Sequence, residues 1–227
     1  MKLFLACVLA VLAVPPTVHA QNPAPDTTLS LSALPAGGGW AVFNRHPEAY
    51  SEPGRENAVY LDAQPGQGVA WVPGLRVGDA VVEVDVKGRD EPGRSFVGLA
   101  FYGADAERYE AVYLRPFNFR SDDPARRARA VQYVAVPSHE WPRLREHHPG
   151  QYEAAVPQGT APDGWVRLRV ELAGPSVQVY VDDSAEPVLS LDRIGASEVG
   201  WVGIWVGNRS DGSFANLRVR PLPETRP

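Results

Sequence analysis

Residues 165–172 read WVRLRVEL and residues 82–87 read VEVDVK, so apolar and charged side chains alternate in both stretches. Successive side chains of a β-strand point to opposite faces of a sheet, and this alternation therefore predicts strands with one buried and one solvated face. We expect Asp85 and its charged neighbours on the solvated face. Residues 96–102, FVGLAFY, are apolar on both faces, which predicts a central strand with a covered or functional outer surface.

Similar short runs, rich in Val, Tyr, Phe and Trp and separated by Gly, Pro and Asp, recur along the chain without an amphipathic helix of convincing length. They predict strands at 57–62, 68–72, 80–87, 95–102, 109–115, 130–136, 152–156, 165–172, 176–182, 187–191, 199–207 and 214–220. A dozen strands in about 165 residues are too many for one flat sheet. The sequence therefore predicts an all-β fold, a two-sheet antiparallel sandwich of the jelly-roll type.

The first 20 residues have the order of a cleavable signal peptide: Lys2, an apolar run over 3–14, two prolines and a compact stretch ending at Ala20. The run is too short to span a membrane, which takes about 20 residues. We expect a secreted or periplasmic protein with no membrane span. The expected divisions are a signal peptide (1–20), a flexible leader (21–29), a sandwich domain (30–221) and a tail (222–227).

The cysteine and charge content limits the chemistry. Cys7 is the sole cysteine and lies inside the apolar run; as a lipidation site it would leave almost no apolar segment before the cleavage point. The mature chain is therefore expected to lack disulfides. Without Lys2, 21 of the 22 basic residues oppose 27 acidic ones, a net charge of −6 with histidines neutral. This acidic balance argues against a nucleic-acid partner.

Six segments carry a resemblance to a known family: FVGLAF, RYEAVY, GWVRLRV, VQVYVD, GWVGIW and FANLRV, beginning at residues 96, 108, 164, 177, 200 and 214. In this order they resemble the concanavalin A-like lectin/glucanase superfamily, and within it the 3-keto-disaccharide hydrolase family. The resemblance covers most of residues 30–221. It implies a jelly roll whose concave face commonly binds or cleaves sugars, although a fold alone does not establish an activity.

A glycosidase carboxylate pair would be the simplest catalytic signal. Glycosidases of this fold that resemble family 16 carry Glu-x-Asp-x-Glu or a near variant on one strand, where the paired carboxylates act as nucleophile and acid. Here Glu83 and Asp85 begin the pattern, and Lys87 stands where the next Glu belongs. The strand therefore lacks an intact pair.

The segment 109–118, YEAVYLRPFN, is the most informative one for binding. Alternation places Tyr109, Tyr113 and Arg115 on one face, where rings can stack on a sugar and a guanidinium can bind hydroxyls. The family resemblance places Glu110 near the site as the candidate catalytic residue. Alternation instead points Glu110 toward the core, where it would need an arginine partner or a bulge.

Further candidates for substrate binding follow in residues 117–150, a connection long enough to be functional or disordered. They are Asn118, Gln132, Tyr133 and Trp141. The alternative is a surface crossover in which Trp141 caps the core. His139, His147 and His148 lie in the same stretch, but their spacing matches no familiar metal-ligand pattern, so we predict no metal and no cofactor.

Trp201 and Trp205 lie four residues apart on one strand, with glycines between and beside them. Packing between the sheets is the favoured interpretation, and a sugar platform is the alternative. No nucleophile elbow, phosphate loop or dinucleotide fingerprint occurs in the chain.

Three functions remain open. The first is a secreted carbohydrate-binding domain whose partner is an oligo- or polysaccharide. The second is a glycoside-processing enzyme, by resemblance a hydrolase or lyase acting on 3-keto-glycosides. The third is a structural protein that binds a protein partner through a broad apolar patch.

Overall fold

Fifteen strands form the framework of residues 27–223, the part of the chain that the structure, a computed structural model, describes. The predicted signal peptide, Cys7 and most of the predicted leader and tail lie outside these residues. The strands are β1 (Thr27–Thr28), β2 (Ala41–Phe43), β3 (Pro47–Tyr50), β4 (Ala58–Leu61), β5 (Gly68–Val77), β6 (Ala80–Lys87), β7 (Val97–Gly103), β8 (Tyr109–Leu114), β9 (Val131–Val136), β10 (Glu153–Ala154), β11 (Trp165–Ala173), β12 (Ser176–Val181), β13 (Leu189–Asp192), β14 (Gly200–Val206) and β15 (Gly212–Pro221).

The strands form two antiparallel sheets, which confirms the predicted all-β jelly-roll sandwich. The eight-stranded sheet has the order β13-β12-β11-β6-β15-β4-β3, with β1 paired to β15. The seven-stranded sheet has the order β10-β9-β8-β7-β14-β5-β2. Strand β7, which is buried at all its positions, is the middle strand of the seven-stranded sheet, as its two apolar faces predict.

Three short strands near the start of the described chain, β1, β2 and β3, were not predicted from the sequence. β1 lies in the predicted leader and pairs with Val219 and Arg218 of β15. β2 and β3 are three and four residues long, and β3 begins with a proline. Such short strands carry too few alternating positions to give a pattern. At residues 152–156 the structure retains only the two-residue strand β10.

The two connections on either side of β9, from β8 to β9 and from β9 to β10, contain short helices rather than plain loops. These are a 3₁₀ helix (Pro116–Asn118), α1 (Pro124–Arg127) and α2 (Trp141–His147); a second 3₁₀ helix (Leu31–Ala33) follows β1. α2 has Pro142 in its first turn, where a missing N–H costs nothing, and buries Leu144. Between residues 27 and 223, no helix has the length and apolarity needed to cross a bilayer.

Asp85 corrects the prediction that the charged face of β6 is an ordinary solvated surface. It is buried, and its carboxylate lies 2.9 Å from Arg55 and 3.4 Å from Arg167. The amide of Asn216 donates to it at 2.7 Å. A buried carboxylate requires such partners, and two of them come from strands that β6 pairs with.

Register separates the two faces of the seven-stranded sheet. Leu99 pairs with Ile204 on one side and Val112 on the other, and all three are fully buried on the inner face. On the outer face, Gly98 pairs with Trp205 on one side and Tyr113 on the other. The two aromatic residues are therefore two strands apart.

The missing side chain of Gly98 lets these two rings meet. Residues two strands apart are separated by roughly 9.5 Å along the sheet, yet the ring centroids of Tyr113 and Trp205 are 4.8 Å apart with an interplanar angle of 27°. A Cβ on Gly98 would lie 2.1 Å from the Val112 carbonyl oxygen and 2.9 Å from the Tyr113 Cβ. The stacked pair covers the middle strand in place of a side chain at position 98.

We predict that Gly98→Ala lowers the free energy of unfolding by about 1–3 kcal/mol, the usual range for an overpacked core position. The measurement is urea denaturation followed by tryptophan fluorescence. Gly78→Ala is the matched control, because its added Cβ would be 3.4 Å from the nearest atom, an ordinary contact. Equal stability of the two variants would contradict the role given to Gly98.

Candidate functional site

A row of polar and aromatic side chains crosses the outer face of the seven-stranded sheet. Register aligns Glu153 of β10 with Gln132 of β9, Gln132 with Tyr113 of β8, and Tyr113 with Gly98 of β7. Trp205 of β14 continues the row. Alternation along five neighbouring strands therefore brings these residues onto one surface.

Hydrogen bonds tie the aromatic part of this surface together. The indole N–H of Trp205 donates to the Tyr109 hydroxyl at 2.9 Å, and that hydroxyl donates to the Gln67 side-chain oxygen at 2.5 Å. The Gln67 amide in turn donates to Glu140 at 3.2 Å. The chain of bonds fixes the orientation of four side chains that come from distant parts of the sequence.

Arg115 organises the other end of the row. Its guanidinium donates to the Tyr113 hydroxyl and to the Gln132 side-chain oxygen, both at 3.0 Å. It also donates to the Arg129 carbonyl at 2.8 Å, to which Asn118 donates at 3.2 Å. Burial lowers the pKa of Arg115 from its usual value. Arg115 is thus a buried cation held by several oxygen acceptors.

Two adjoining cavities open on this surface. The aromatic cleft, about 340 Å³, is lined by Gln67, Gly93, Phe96, Tyr113, Val134, Val136, Glu140, Trp141, Trp205, Gly207 and Asn208. The arginine pocket, about 310 Å³, is lined by Pro92, Gly93, Phe96, Arg115, Phe117, Asn118, Arg126, Arg129, Trp141 and Arg145. They share Gly93, Phe96 and Trp141, so they form one continuous surface depression.

Trp141 projects from the start of α2 and is 44% exposed. The guanidinium of Arg145, one helical turn later, lies 4.7 Å from its ring centroid. Residues four apart on a helix are neighbours on its surface, so α2 presents the indole and the cation together. Trp141 is the most exposed aromatic side chain of the two cavities.

The structure divides the predicted site residues between the two faces of the sheet. Tyr109, Tyr113, Arg115 and Gln132 lie on the outer face, with Asn118 and Trp141 beside them. Glu110 and Tyr133 lie on the inner face, where Glu110 is 2% exposed and Tyr133 is fully buried. Tyr109 and Glu110 both line a further cavity of about 330 Å³, whose lining does not include Tyr113, Arg115 or Gln132.

Glu110 has the arginine partner that alternation predicts for a core-facing carboxylate. Arg193 forms an ion pair with it, and the Tyr133 hydroxyl donates to it at 2.6 Å. Gly195 packs directly over the carboxylate, because a Cβ there would overlap Glu110. Both carboxylate oxygens are engaged by these groups.

The three histidines of the β9–β10 connection do not converge. The backbone of His139 bonds to Ala135, the ring of His148 packs edge-on against Tyr152 at 5.7 Å, and His147 is largely exposed. Among the described residues, no group of three His, Cys, Asp or Glu side chains is placed to hold a metal ion.

Trp205 overturns the favoured interpretation that this strand's tryptophans pack between the sheets. It lies on the outer face and lines the aromatic cleft, and a register shift separates it from Trp201, which packs beside Trp71 at 6.2 Å. Sequence reasoning also missed Phe96, Gln67 and Glu140. Gln67 directly precedes a strand and Glu140 directly precedes α2, so neither belongs to an alternating pattern.

Solved structures of several other proteins have the same fold as this chain. A Bacillus subtilis protein of unknown function with a galectin-like fold superposes with a TM-score of 0.58 at 14% identity, over 88% of this chain and 97% of that one. The carbohydrate binding module CBM66 from Bacillus subtilis gives 0.55 at 16% identity, over 80% and 95%. The fold is a galectin-like jelly roll. The VIP36 exoplasmic/lumenal domain, bound to Ca²⁺ and Man3GlcNAc, gives 0.56 at 12% identity, over 88% and 90%.

The sequence comparisons gave no matches. No protein-family model matches the chain, and no curated protein matches it. At identities of 12–16%, the structural likeness shows the fold alone.

We predict that Glu110→Gln lowers the free energy of unfolding by about 3–5 kcal/mol, because it leaves the Arg193 cation buried without its counter-charge. Urea denaturation measures the change. Glu146→Gln, at a side chain that is 74% exposed, is the control and should differ little from the parent protein. A small effect of Glu110→Gln would contradict a structural role for the ion pair.

Burial raises the pKa of Tyr102, Tyr109 and Tyr113 to about 12, against an ordinary value of 10.0. Because the folded-state pKa is the higher one, the stability linked to these phenols is fully present below pH 10 and is lost as the pH rises toward 12. Absorbance at 295 nm should therefore show these three phenols, together with Tyr60, whose pKa burial also raises to about 12, titrating near 12 in the folded protein and near 10 in urea. Titration of all tyrosines near 10 under native conditions would contradict their burial.

Proposed function

We propose that the protein is a carbohydrate-binding domain and that its ligand, an oligo- or polysaccharide, occupies the aromatic cleft. The observation that carries the proposal is the exposed indole of Trp141 beside the stacked pair Tyr113 and Trp205. Sugar rings present C–H faces that pack against aromatic rings. Because Arg145 lies over one face of Trp141, the opposite face is the one that a sugar can stack on.

Polar groups around the rings support the same ligand class. Gln67, Glu140 and Asn208, whose side chains carry amide and carboxylate groups, are among the residues that line the aromatic cleft. Binding sites for small ligands combine apolar walls with a few placed polar groups, and sugar hydroxyls need both donors and acceptors. A cleft of about 340 Å³ falls in the lower part of the range of ligand sites.

The fold comparison adds weight to this proposal. Two of the proteins with this fold are, by their names, a carbohydrate binding module and a domain bound to Man3GlcNAc. The predicted signal peptide makes a glycan outside the cytoplasm the first ligand to test.

We favour binding over glycoside processing because of the surroundings of Glu110. Hydrolase or lyase action on 3-keto-glycosides, as in the family that the sequence resembles, would need this carboxylate to reach a substrate. Although Glu110 borders a cavity of about 330 Å³, both of its oxygens are engaged by Arg193 and Tyr133. An absence of turnover on oxidised disaccharides is therefore expected.

A protein-binding function would call for a broad apolar patch. Among residues 27–223, the large apolar side chains with high exposure are Phe43, Trp141 and Val199. They come from β2, from α2 and from the loop before β14, and only Trp141 lines the aromatic cleft. This scatter favours a small ligand over a protein partner.

Trp141→Ala should weaken saccharide binding by roughly tenfold or more, as expected for truncation of a central aromatic contact. Isothermal titration calorimetry, with ligands first identified on a glycan array, measures the change. Phe43→Ala is the matched control, because Phe43 is 45% exposed, against 44% for Trp141, and belongs to the opposite edge of the same sheet. Binding of no saccharide by the parent protein, or equal loss in both variants, would refute the proposal.

A further inference from the structure

We propose that the saccharide is acidic and that the arginine pocket binds its carboxylate group. This inference rests on the proposed carbohydrate function and adds the chemical class of the ligand. Its starting observation is the composition of the pocket wall. Four arginines line the arginine pocket, namely Arg115, Arg126, Arg129 and Arg145, and no acidic residue of the described chain does.

The counter-charges near these arginines are too few to neutralise them. Glu153 lies 3.4 Å from Arg115 and 3.9 Å from Arg129, and it also pairs with Arg145. One carboxylate thus serves three guanidinium groups. Asp123 lies 3.9 Å from Arg126. Four positive charges against these two negative charges leave a surplus of two at the pocket.

The surplus is a local feature, because the protein as a whole is acidic. The full chain carries 22 Lys and Arg residues and 27 Asp and Glu residues, a net charge of −5. A cationic pocket on an acidic protein attracts an anionic group selectively at that place. The surrounding negative charge disfavours long polyanions such as nucleic acids.

Guanidinium groups also fit a carboxylate by shape. The planar fork of arginine donates two parallel hydrogen bonds to the two oxygens of a carboxylate. Arg115 is 4% exposed, and its contacts with Tyr113 and Gln132 fix its position. Arg126 and Arg129 are more exposed, with 65% and 40% of their side chains accessible, so they can reach toward a ligand.

The position of the pocket makes the anionic group part of a saccharide. The arginine pocket and the aromatic cleft share Phe96 and Trp141. A sugar ring stacked on Trp141 would therefore place a neighbouring ring at the arginines. Glu140 lies at the aromatic end and would repel a carboxylate there. The charges thus orient the ligand, with its uronic acid residue at the arginine end.

The test compares matched acidic and neutral saccharides with the purified protein by calorimetry at low salt. The probes are oligogalacturonides against their methyl esters, and glucuronic acid-substituted xylo-oligosaccharides against unsubstituted ones. The acidic member of at least one pair should bind about tenfold more tightly, the gain expected from hydrogen bonds to a charged group. Raising the salt concentration should reduce the difference.

Arg126→Gln/Arg129→Gln should remove most of this preference, because the affinity for the acidic member falls much more than the affinity for the neutral member. Both side chains are exposed enough for the variant to fold. Arg218→Gln, at an exposed position of β15 in the other sheet, is the control and should keep the full preference.

The outcomes separate this inference from the proposed function. Equal affinity for the acidic and neutral members of every pair would overturn the acidic ligand and leave carbohydrate binding intact. Binding of no saccharide of either kind would overturn both. Tighter binding of a single-stranded oligonucleotide than of any acidic saccharide would also overturn the inference.

Discussion

The absence of a side chain at Gly98 is the constraint on which the outer face of the seven-stranded sheet depends. The middle strand of a sandwich sheet would ordinarily present its own side chains to the outside. Here Tyr113 and Trp205 lean across the strand from either side and cover it themselves. The stacked rings lie over the backbone of Gly98, where an added Cβ would overlap the Val112 carbonyl oxygen and Tyr113.

Polar contacts extend from this floor in two directions and give the surface two different ends. Toward β5, the bonds run from Trp205 through Tyr109 to Gln67 and Glu140. Toward β10, Arg115 connects Tyr113 and Gln132 with Glu153. One end therefore carries an amide and a carboxylate, and the other end carries arginines. Most of the charged side chains of the depression, namely Arg126, Arg129, Glu140 and Arg145, come from the connections between strands.

Much of this arrangement could be predicted from the sequence, and the limits have physical causes. Alternation of apolar and polar residues identified the sandwich, the middle strand β7 and the outer-face residues Tyr109, Tyr113 and Arg115. It could do so because successive side chains of a strand point to opposite faces of the sheet. It also pointed Glu110 inward, against the resemblance to a hydrolase family. It could not reveal Arg193 as the partner, because that pairing joins residues 83 positions apart. Asp85 was misassigned because a charged side chain looks the same in sequence whether water or an arginine surrounds it.

The helix α2 has a consequence for how such a protein can change over time. Glu140, Trp141 and Arg145 all belong to one short excursion between β9 and β10, at the edge of its sheet. The inner face of the sandwich contributes Leu99, Val112 and Ile204 from other strands. The exposed rim of the aromatic cleft and the buried inner face thus come largely from different parts of the chain. Substitutions in the excursion can therefore change the rim of the aromatic cleft, with Leu144 as the anchor of α2, while the inner face of the sandwich stays the same.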